Sequence, residues 1–466
     1  MAQSQGRNAY RQELTAELDG VFPASLFRGM RCHGNERWTP RLVAWLSVIM
    51  FWVSGNTLEE QFSTARRIVK LMKPHWQVPV SSGGFVAAQL RWWPQLGPVL
   101  TRRLRPDAAS AGAAWRLGGW LVLAVDGSRF ECPRTAANEQ GLGCAGREKT
   151  APQIFQTLLQ HVGTGLPWDY RLGPGTDSER RHLDEMLADL PEQTLLTADA
   201  GFISYDLCAQ LIDANTFFVL RIGGNKTLLE NLEGEEQPDE RSVYLWPDQA
   251  RPKPPLKVRR ICFPSAGGLP VVLYCPRRSL IHCRRLYPAR QNVSILTVDG
   301  IITNVLDAQL LSDEDTQQIY RSRWGIEVYF RHLKQTMGFT TLRSRTPATA
   351  WNEHHWRLIS FWMLQRMAVS QHIAAGQDPR RCSAATAHRE IREVLQLMQQ
   401  GKYQTPLNRR WLKTQTDSYQ RHGPQATGHW PRKKHEQPPK PPKTRPATAS
   451  EIQKAKQLGF KFLLIS

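Results

Sequence analysis

The sequence predicts an α/β protein: a mixed sheet layered with helices, preceded by a helical segment and interrupted by a β-rich insertion. Three observations carry this. Residues 113–224 alternate apolar runs of strand length with amphipathic stretches, in the order strand, strand, strand, helix, strand, helix, strand. Residues 225–300 lose helical period and read as short strands separated by Pro, Gly and charge. Residues 1–112 and 301–400 read as helical, and 401–466 form a basic, Pro-rich tail.

Along the chain, "TPRLVAWLSVIMFWVSG" opens with Thr39 as a cap and Pro40 in the first turn, and its apolar breadth predicts a buried helix. "LEEQFSTARRIVKLM" is a second helix, and "VAAQLRWWPQLGPVLTRRLR" a third, with a break expected at Pro94. These basic helices fit either a DNA-binding module or a prop for the next domain, because no recognition helix stands out. "PDAASAGAAWRLGG" reads as a linker. "WLVLAVDGS" reads as a buried strand ending at Asp126, and "PQIFQTLLQHV" and "GLPWDYRLG" as two more. "TDSERRHLDEMLADL" is a helix with Thr176 and Glu179 in capping-box spacing. "QTLLTADAGF" is a strand ending at Asp199, followed by the helix "SYDLCAQLIDA" and the strand "TFFVLRIGG".

In the β-rich insertion, "SVYLWPD", "PLKVRRICFPS", "LPVVLYCP" and "NVSILTV" are the expected strands. Helices resume with "SDEDTQQIYRSRWGIEVYFRHLKQTMGF", "ATAWNEHHWRLISFWMLQRMAVSQHI" and "SAATAHREIREVLQLMQQ". In the tail, "RKKHEQPPKPPKTRP" is expected to stay unstructured, and "SEIQKAKQLGFKFLLIS" to form a short helix or strand.

Charge narrows the function. The 466 residues carry a net +20, of which the tail supplies 14 Lys or Arg against 3 Asp or Glu. So basic a chain suits a polyanionic partner, most often nucleic acid. The eight cysteines stand singly with no C-x-x-C pair, which argues against a zinc ribbon, and "RCHGNERW" lacks a partner pair. The first residues lack the apolar core of a signal peptide, and the longest apolar run, Leu42–Val53, is too short to span a bilayer. A cytoplasmic protein with no membrane partner is expected.

One stretch concentrates chemistry. On a continuous helix, Tyr320, Arg323, Glu327 and Lys334 fall within about 60° of one another, with Arg331 beside them. Ile319, Ile326, Phe330, Leu333 and Met337 form a separate packing arc. A carboxylate among cations suits phosphate chemistry: cations bind phosphate oxygens, and the acid can hold a metal. It also suits a solvated face with i,i+4 ion pairs. Asp126 and Asp199, each closing an apolar strand, offer the further oxygen ligands that a hard cation needs. Elsewhere, His354 and His355 are adjacent and point about 100° apart, so surface or packing roles are expected. Glu179 and Glu185 suit capping and solvation, and Ser128 in "DGS" lacks the flanking elbow of a nucleophile.

The order strand–Asp126, strand–Asp199, β-rich insertion, helix–Glu327 resembles the DDE transposases of bacterial insertion sequences. "VDGSRF" and "ADAGF" are similar to the first and second acidic motifs of that group. The spacing Tyr-x2-Arg-x3-Glu-x6-Lys at Tyr320, Arg323, Glu327 and Lys334 resembles the Y-R-E-K signature of the insertion-sequence-four (Tn-five-like) family. The resemblance spans roughly residues 115 to 395. It implies an RNase H-like catalytic core, a mixed sheet flanked by helices, with Asp126, Asp199 and Glu327 catalytic and metal-binding. Two divalent ions, magnesium or in its place manganese, would serve them. Tyr320, Arg323, Trp324, Arg331 and Lys334 would contact DNA, although Trp324 can equally be core.

The implied activity is cleavage and strand transfer at the ends of an insertion sequence, that is, cut-and-paste transposition. The implied partners are double-stranded DNA (terminal inverted repeats and target) and a second copy of the chain, as a homodimer on DNA. The implied location is the bacterial cytoplasm, on the nucleoid when bound. No Phe, Tyr or Trp lies between Tyr287 and Tyr320, so the aromatic on which some members stack a flipped base is not carried over, and excision through hairpin ends stays open. A catalytically silent DNA-binding descendant and a structure-selective nuclease are the alternatives.

Overall fold

A computed structural model describes residues 2–105, 116–145, 150–239, 241–261, 300–415 and 442–463. The expected strands "LPVVLYCP" and "NVSILTV", the linker at 106–115 and most of the basic tail lie outside them. In chain order the elements are α1 (Ala2–Val21), α2 (Pro40–Met50), α3 (Leu58–Met72), α4 (Ser82–Leu104), β1 (Leu121–Glu131), α5 (Ala136–Leu142), β2 (Gln153–His161), β3 (Pro167–Pro174) and α6 (Glu179–Leu187). There follow β4 (Thr194–Ala198), α7 (Tyr205–Asp213), β5 (Phe217–Ile222), β6 (Thr227–Glu230), β7 (Ser242–Leu245), β8 (Leu256–Ile261) and β9 (Gly300–Thr303). The last are α8 (Asp313–Ser322), α9 (Gly325–Arg331), a π-turn (His332–Thr336), α10 (Pro347–Ala374), α11 (Ala384–Gln399), α12 (Leu407–Leu412), β10 (Lys443–Pro446) and α13 (Ala449–Leu458).

These elements form two compact units. Unit one comprises Met1–Arg116, Asp126–Leu183 and Gly325–Ser418; unit two comprises Leu117–Val125, Asp184–Trp324 and Tyr419–Ser466. Unit one is mainly helical. α10 is buried on nearly every face and packs against α2, α4, α11 and α12, and its buried charges Glu353 and Arg357 pair with each other. Thr39 caps α2 by accepting from the Leu42 N–H, with Pro40 in the first turn. α4 is not broken at Pro94. It runs through Pro94 and Pro98, because Phe85, Ala88, Trp92, Leu96, Leu100 and Leu104 bury one continuous stripe. That burial outweighs the missing backbone bonds, and Pro94 lies on the exposed side.

Unit one also holds the second half of β1 and the antiparallel hairpin β2–β3, in the order β1–β2–β3. β2 is buried along its whole length. On one face Thr157 Oγ1 meets His182 Nδ1 of α6 at 2.9 Å; on the other Gln156 Oε1 meets His354 Nε2 of α10 at 3.0 Å. The hairpin is thus gripped from both sides.

Unit two is a mixed sheet in the order β10–β6–β7–β8–β9–β5–β4–β1, with α7 and α8 packed against β5. β1, β4 and β5 are mutually parallel, and β9 returns antiparallel to β5. The parallel strands are near-continuous apolar runs, the pattern of strands covered on both faces. The expectation of an unstructured tail is corrected at Lys443–Pro446. There β10 pairs in parallel with β6, Lys443 N–H donates to Lys226 O, and Pro446 sits at the end of an edge strand, where a missing N–H is tolerated. The terminal segment then takes the helical option as α13, opened by a Thr448–Glu451 capping box.

Candidate active site

The acidic residues are set by strand register and strand length. Within unit two Leu121 pairs with Thr194 and Ala124 with Thr197. Asp126 follows Ala124 by two residues and Asp199 follows Thr197 by two, so both aspartates have the same offset from one paired position. β4 stops at Ala198, immediately before Asp199. β1 does not stop at Asp126 as expected; it continues to Glu131, and burial changes at Asp126 from complete to partial. The extension is held at its end by Glu131, whose N–H donates to Thr340 O and whose carbonyl accepts from Leu342 N–H.

Both aspartates are half-buried, and each has one oxygen engaged by nearby backbone. Asp126 Oδ1 accepts from Gly127 N–H at 2.8 Å, and Asp199 Oδ1 accepts from Gly201 N–H at 2.8 Å. Such bonds orient a carboxylate before any ligand arrives.

Gly127 sits where any side chain would crowd its neighbours. A Cβ on it would lie 2.8 Å from both Glu179 Oε1 and the Phe155 ring. The capping box that the Thr176–Glu179 spacing suggested is not formed at the start of α6. α6 begins at Glu179 itself, and Thr176 lies in the preceding turn. Asp177 anchors that end instead: it accepts from Ser178 N–H, Arg181 and His182 Nε2. Burial pushes the Asp177 carboxyl up, but these three donors outweigh it and leave the pKa below the usual carboxylate range. Gly173 makes room for the anchor, since its Cβ would overlap both Asp177 and His182. Sequence reasoning gave Glu179 a capping and solvation role and did not place it beside Gly127. Its one local signal is the glycine directly after Asp126, inside what proves to be a strand.

The stretch from Ser312 to Phe339 is not one helix. α8 ends at Ser322, Arg323 closes it, and α9 starts at Gly325, the poorest helix former short of proline. The π-turn then widens the backbone step: Met337 N–H donates to His332 O at 3.0 Å, five residues back. A uniform wheel of 100° per residue therefore fails to relate Tyr320 to Lys334. Tyr320, Arg323 and Trp324 belong to unit two, and Glu327, Arg331 and Lys334 to unit one with Asp126. Tyr320 and Arg323 are buried, with the guanidinium carbon 5.7 Å from the phenol ring centre. Trp324 and Glu327 are half-buried, and Arg331 is exposed.

Lys334 is brought to β1. Its Nζ lies 4.9 Å from the ring centre of Phe130, four residues past Asp126. Burial lowers its pKa; the Glu131 carboxylate works against that, and the Arg129 charge adds to it.

His354 and His355 are packing residues, not surface ones. His354 tilts against Phe130, and His355 stacks on Trp93 with its Nδ1 3.0 Å from the Tyr170 hydroxyl. Burial holds His354 neutral and drives His355 down to about 3. Among the described residues, no group of three or more His, Cys, Asp or Glu is gathered as a metal cage. Nor, among them, is any helix long and apolar enough to cross a membrane.

Residues 119–363, just over half of the chain, match the transposase DDE domain family. The chain belongs to that family, and is a DDE transposase. A cryo-EM structure of the piggyBac transposase synaptic complex with hairpin DNA is similar over 92% of this chain and 88% of that one, at 11% identity and a TM-score of 0.38. No curated protein matches the sequence.

Proposed function

We propose that this transposase cuts and joins DNA at the ends of an insertion sequence by cut-and-paste transposition, with Asp126, Asp199 and Glu327 as its catalytic acids. The observation that carries the reading is the shared offset of Asp126 and Asp199 from one register pair on parallel strands, in a chain of the DDE family. Ligands of α/β sheets gather at the carboxyl ends of parallel strands, where Asp199 stands directly after β4. The order of acids and the β-rich insertion before Glu327 support an RNase H-like core. The Y-R-E-K residues Tyr320, Arg323, Glu327 and Lys334 support the insertion-sequence-four family. In domain terms, 113–224 and 301–400 would form the core, 225–300 the insertion, 1–112 a helical domain with DNA contacts and 401–466 a basic tail.

The donor chemistry fits divalent ions. All three side chains are hard carboxylates, and the backbone bond to one oxygen of each aspartate sets the direction of the other. Magnesium, or manganese, bound there would make an attacking oxygen nucleophilic and neutralise charge on the leaving oxygen. The chain's own part is to orient the carboxylates and to grip phosphates through Tyr320, Arg323, Trp324, Arg331 and Lys334. The partner is double-stranded DNA, terminal repeats and target, bound by a homodimer.

The test is incubation of purified protein with labelled duplexes bearing the element's terminal inverted repeats. Magnesium should permit nicking and strand transfer, and EDTA should abolish both while DNA binding persists. Asp126→Ala, Asp199→Ala and Glu327→Ala should each lower the cleavage rate by more than about a hundredfold, beyond the loss typical of residues that merely orient metal ligands. Full activity in any of them would remove that residue from the assignment. Tight binding with no cleavage under any divalent ion would point to a silent descendant, and cleavage without joining to a nuclease.

A further inference from the structure

We propose that Arg129, three residues past Asp126 on β1, is a pre-set clamp for a DNA phosphate flanking the one that reacts. The inference rests on the reading of Asp126 as catalytic. Arg129 is exposed, yet its guanidinium is held on two sides. Its carbon lies 4.3 Å from the ring centre of Phe155, and its Nε donates to Gly175 O at 3.0 Å. Neither support is loose: Phe155 is buried in β2, and Gly175 N–H is itself bonded to Leu142 O at 2.9 Å. Stacking and the Nε bond use one face and one donor of the fork. Among the described residues no carboxylate pairs with the rest. A guanidinium already fixed in place loses little freedom when it binds, and its planar fork matches two phosphate oxygens.

Lys334 supplies the second half. Successive side chains of a strand point to opposite faces, so Arg129 rests on Phe155 on one side and Phe130 carries Lys334 on the other. The two cations straddle the extension of β1, close enough for Arg129 to disfavour the charged form of Lys334, while the exposed Glu131 works the other way. Two like charges held near each other are costly until an anion joins them. At about 3.3 Å per residue, Arg129 lies roughly 10 Å along the strand from Asp126, which suits a neighbouring phosphate and not the scissile one.

The experiment is fluorescence anisotropy of full-length protein on a terminal-repeat duplex, with the affinity measured across a salt series. Arg129→Ala should weaken binding about fivefold at moderate salt and flatten the slope of log affinity against log salt by about one. Arg129→Lys should restore the slope but only part of the affinity, because the charge returns without the stacked fork. In cleavage assays Arg129→Ala should raise the KM for DNA more than it lowers kcat. The slope reports on folded, DNA-bound protein, so a partial loss of folding does not imitate the result. Wild-type slopes in both variants would overturn the inference. Absence of DNA binding by the wild-type protein would instead overturn the reading on which it rests.

Discussion

At the scale of single residues, two glycines set how closely side chains approach their strands, Gly127 on β1 and Gly173 on β3. Gly127 lets Phe155 and Glu179 press against β1 one residue past Asp126. Gly127→Ala should therefore cost about 1–3 kcal/mol, the usual range for overpacking. It should also slow cleavage, because the strand carrying Asp126 must shift. Denaturant unfolding and a cleavage assay on the same preparation check both effects, and an alanine variant with wild-type stability would show that the ring and carboxylate can move aside. Gly173 plays the matching part for α6, admitting Asp177 and His182. Neither glycine lies in the left-handed region of backbone space. Each is needed for lack of room, which no local pattern reveals.

At the scale of elements, boundaries depart from the local period in three places. α4 keeps its path through Pro94 and Pro98 because one apolar stripe is buried end to end. Pro94→Ala should restore a backbone bond on the exposed side and stabilise the protein by up to about 3 kcal/mol, measurable as a higher urea midpoint. After Ser322 a stretch with continuous helical period divides at Arg323–Trp324, just before Gly325.

The tail gives the third case. Glu451 reaches Arg445 of β10 and Arg251, and the Arg445 bond above all holds its carboxyl far below the usual range. Glu451→Ala should loosen β10 from β6. Faster amide hydrogen exchange at Lys443 and Ala447, which donate to Lys226 and Glu230, is the expected readout.

At the scale of the whole molecule, acid sensitivity follows from buried neutral histidines in unit one. Burial takes His355 to about 3, and burial with the nearby Arg392 charge takes His388 to about 3. Unfolding returns each to its ordinary value near 6.5. Between those values the unfolded chain binds more protons than the folded one, so stability falls as pH drops below about 6.5 and the loss is complete near 3. Each histidine contributes a slope of about 1.4 kcal/mol per pH unit in that window. His355→Phe, which keeps a ring against Trp93, should make the dependence shallower in denaturant titrations from pH 7 to 4. An unchanged slope would mean that His355 titrates in the folded protein.

Much of the chain was legible in one dimension. Helix caps, apolar period and strand-length runs locate α2, α3, β2–β5, α10 and α11, since hydrophobic period and capping are local. The order strand–Asp126, strand–Asp199, insertion, helix–Glu327 resembled the DDE transposases, the family that residues 119–363 match. What only tertiary structure decided lies where distant segments meet. It runs β1 past Asp126, places Glu179 against Gly127, seats Lys334 on Phe130 and stacks Arg129 on Phe155. Partners 26 to 211 residues apart make these contacts. Their energies come from packing and from charges brought close by the fold, which a sequence window of one helix or one strand does not contain.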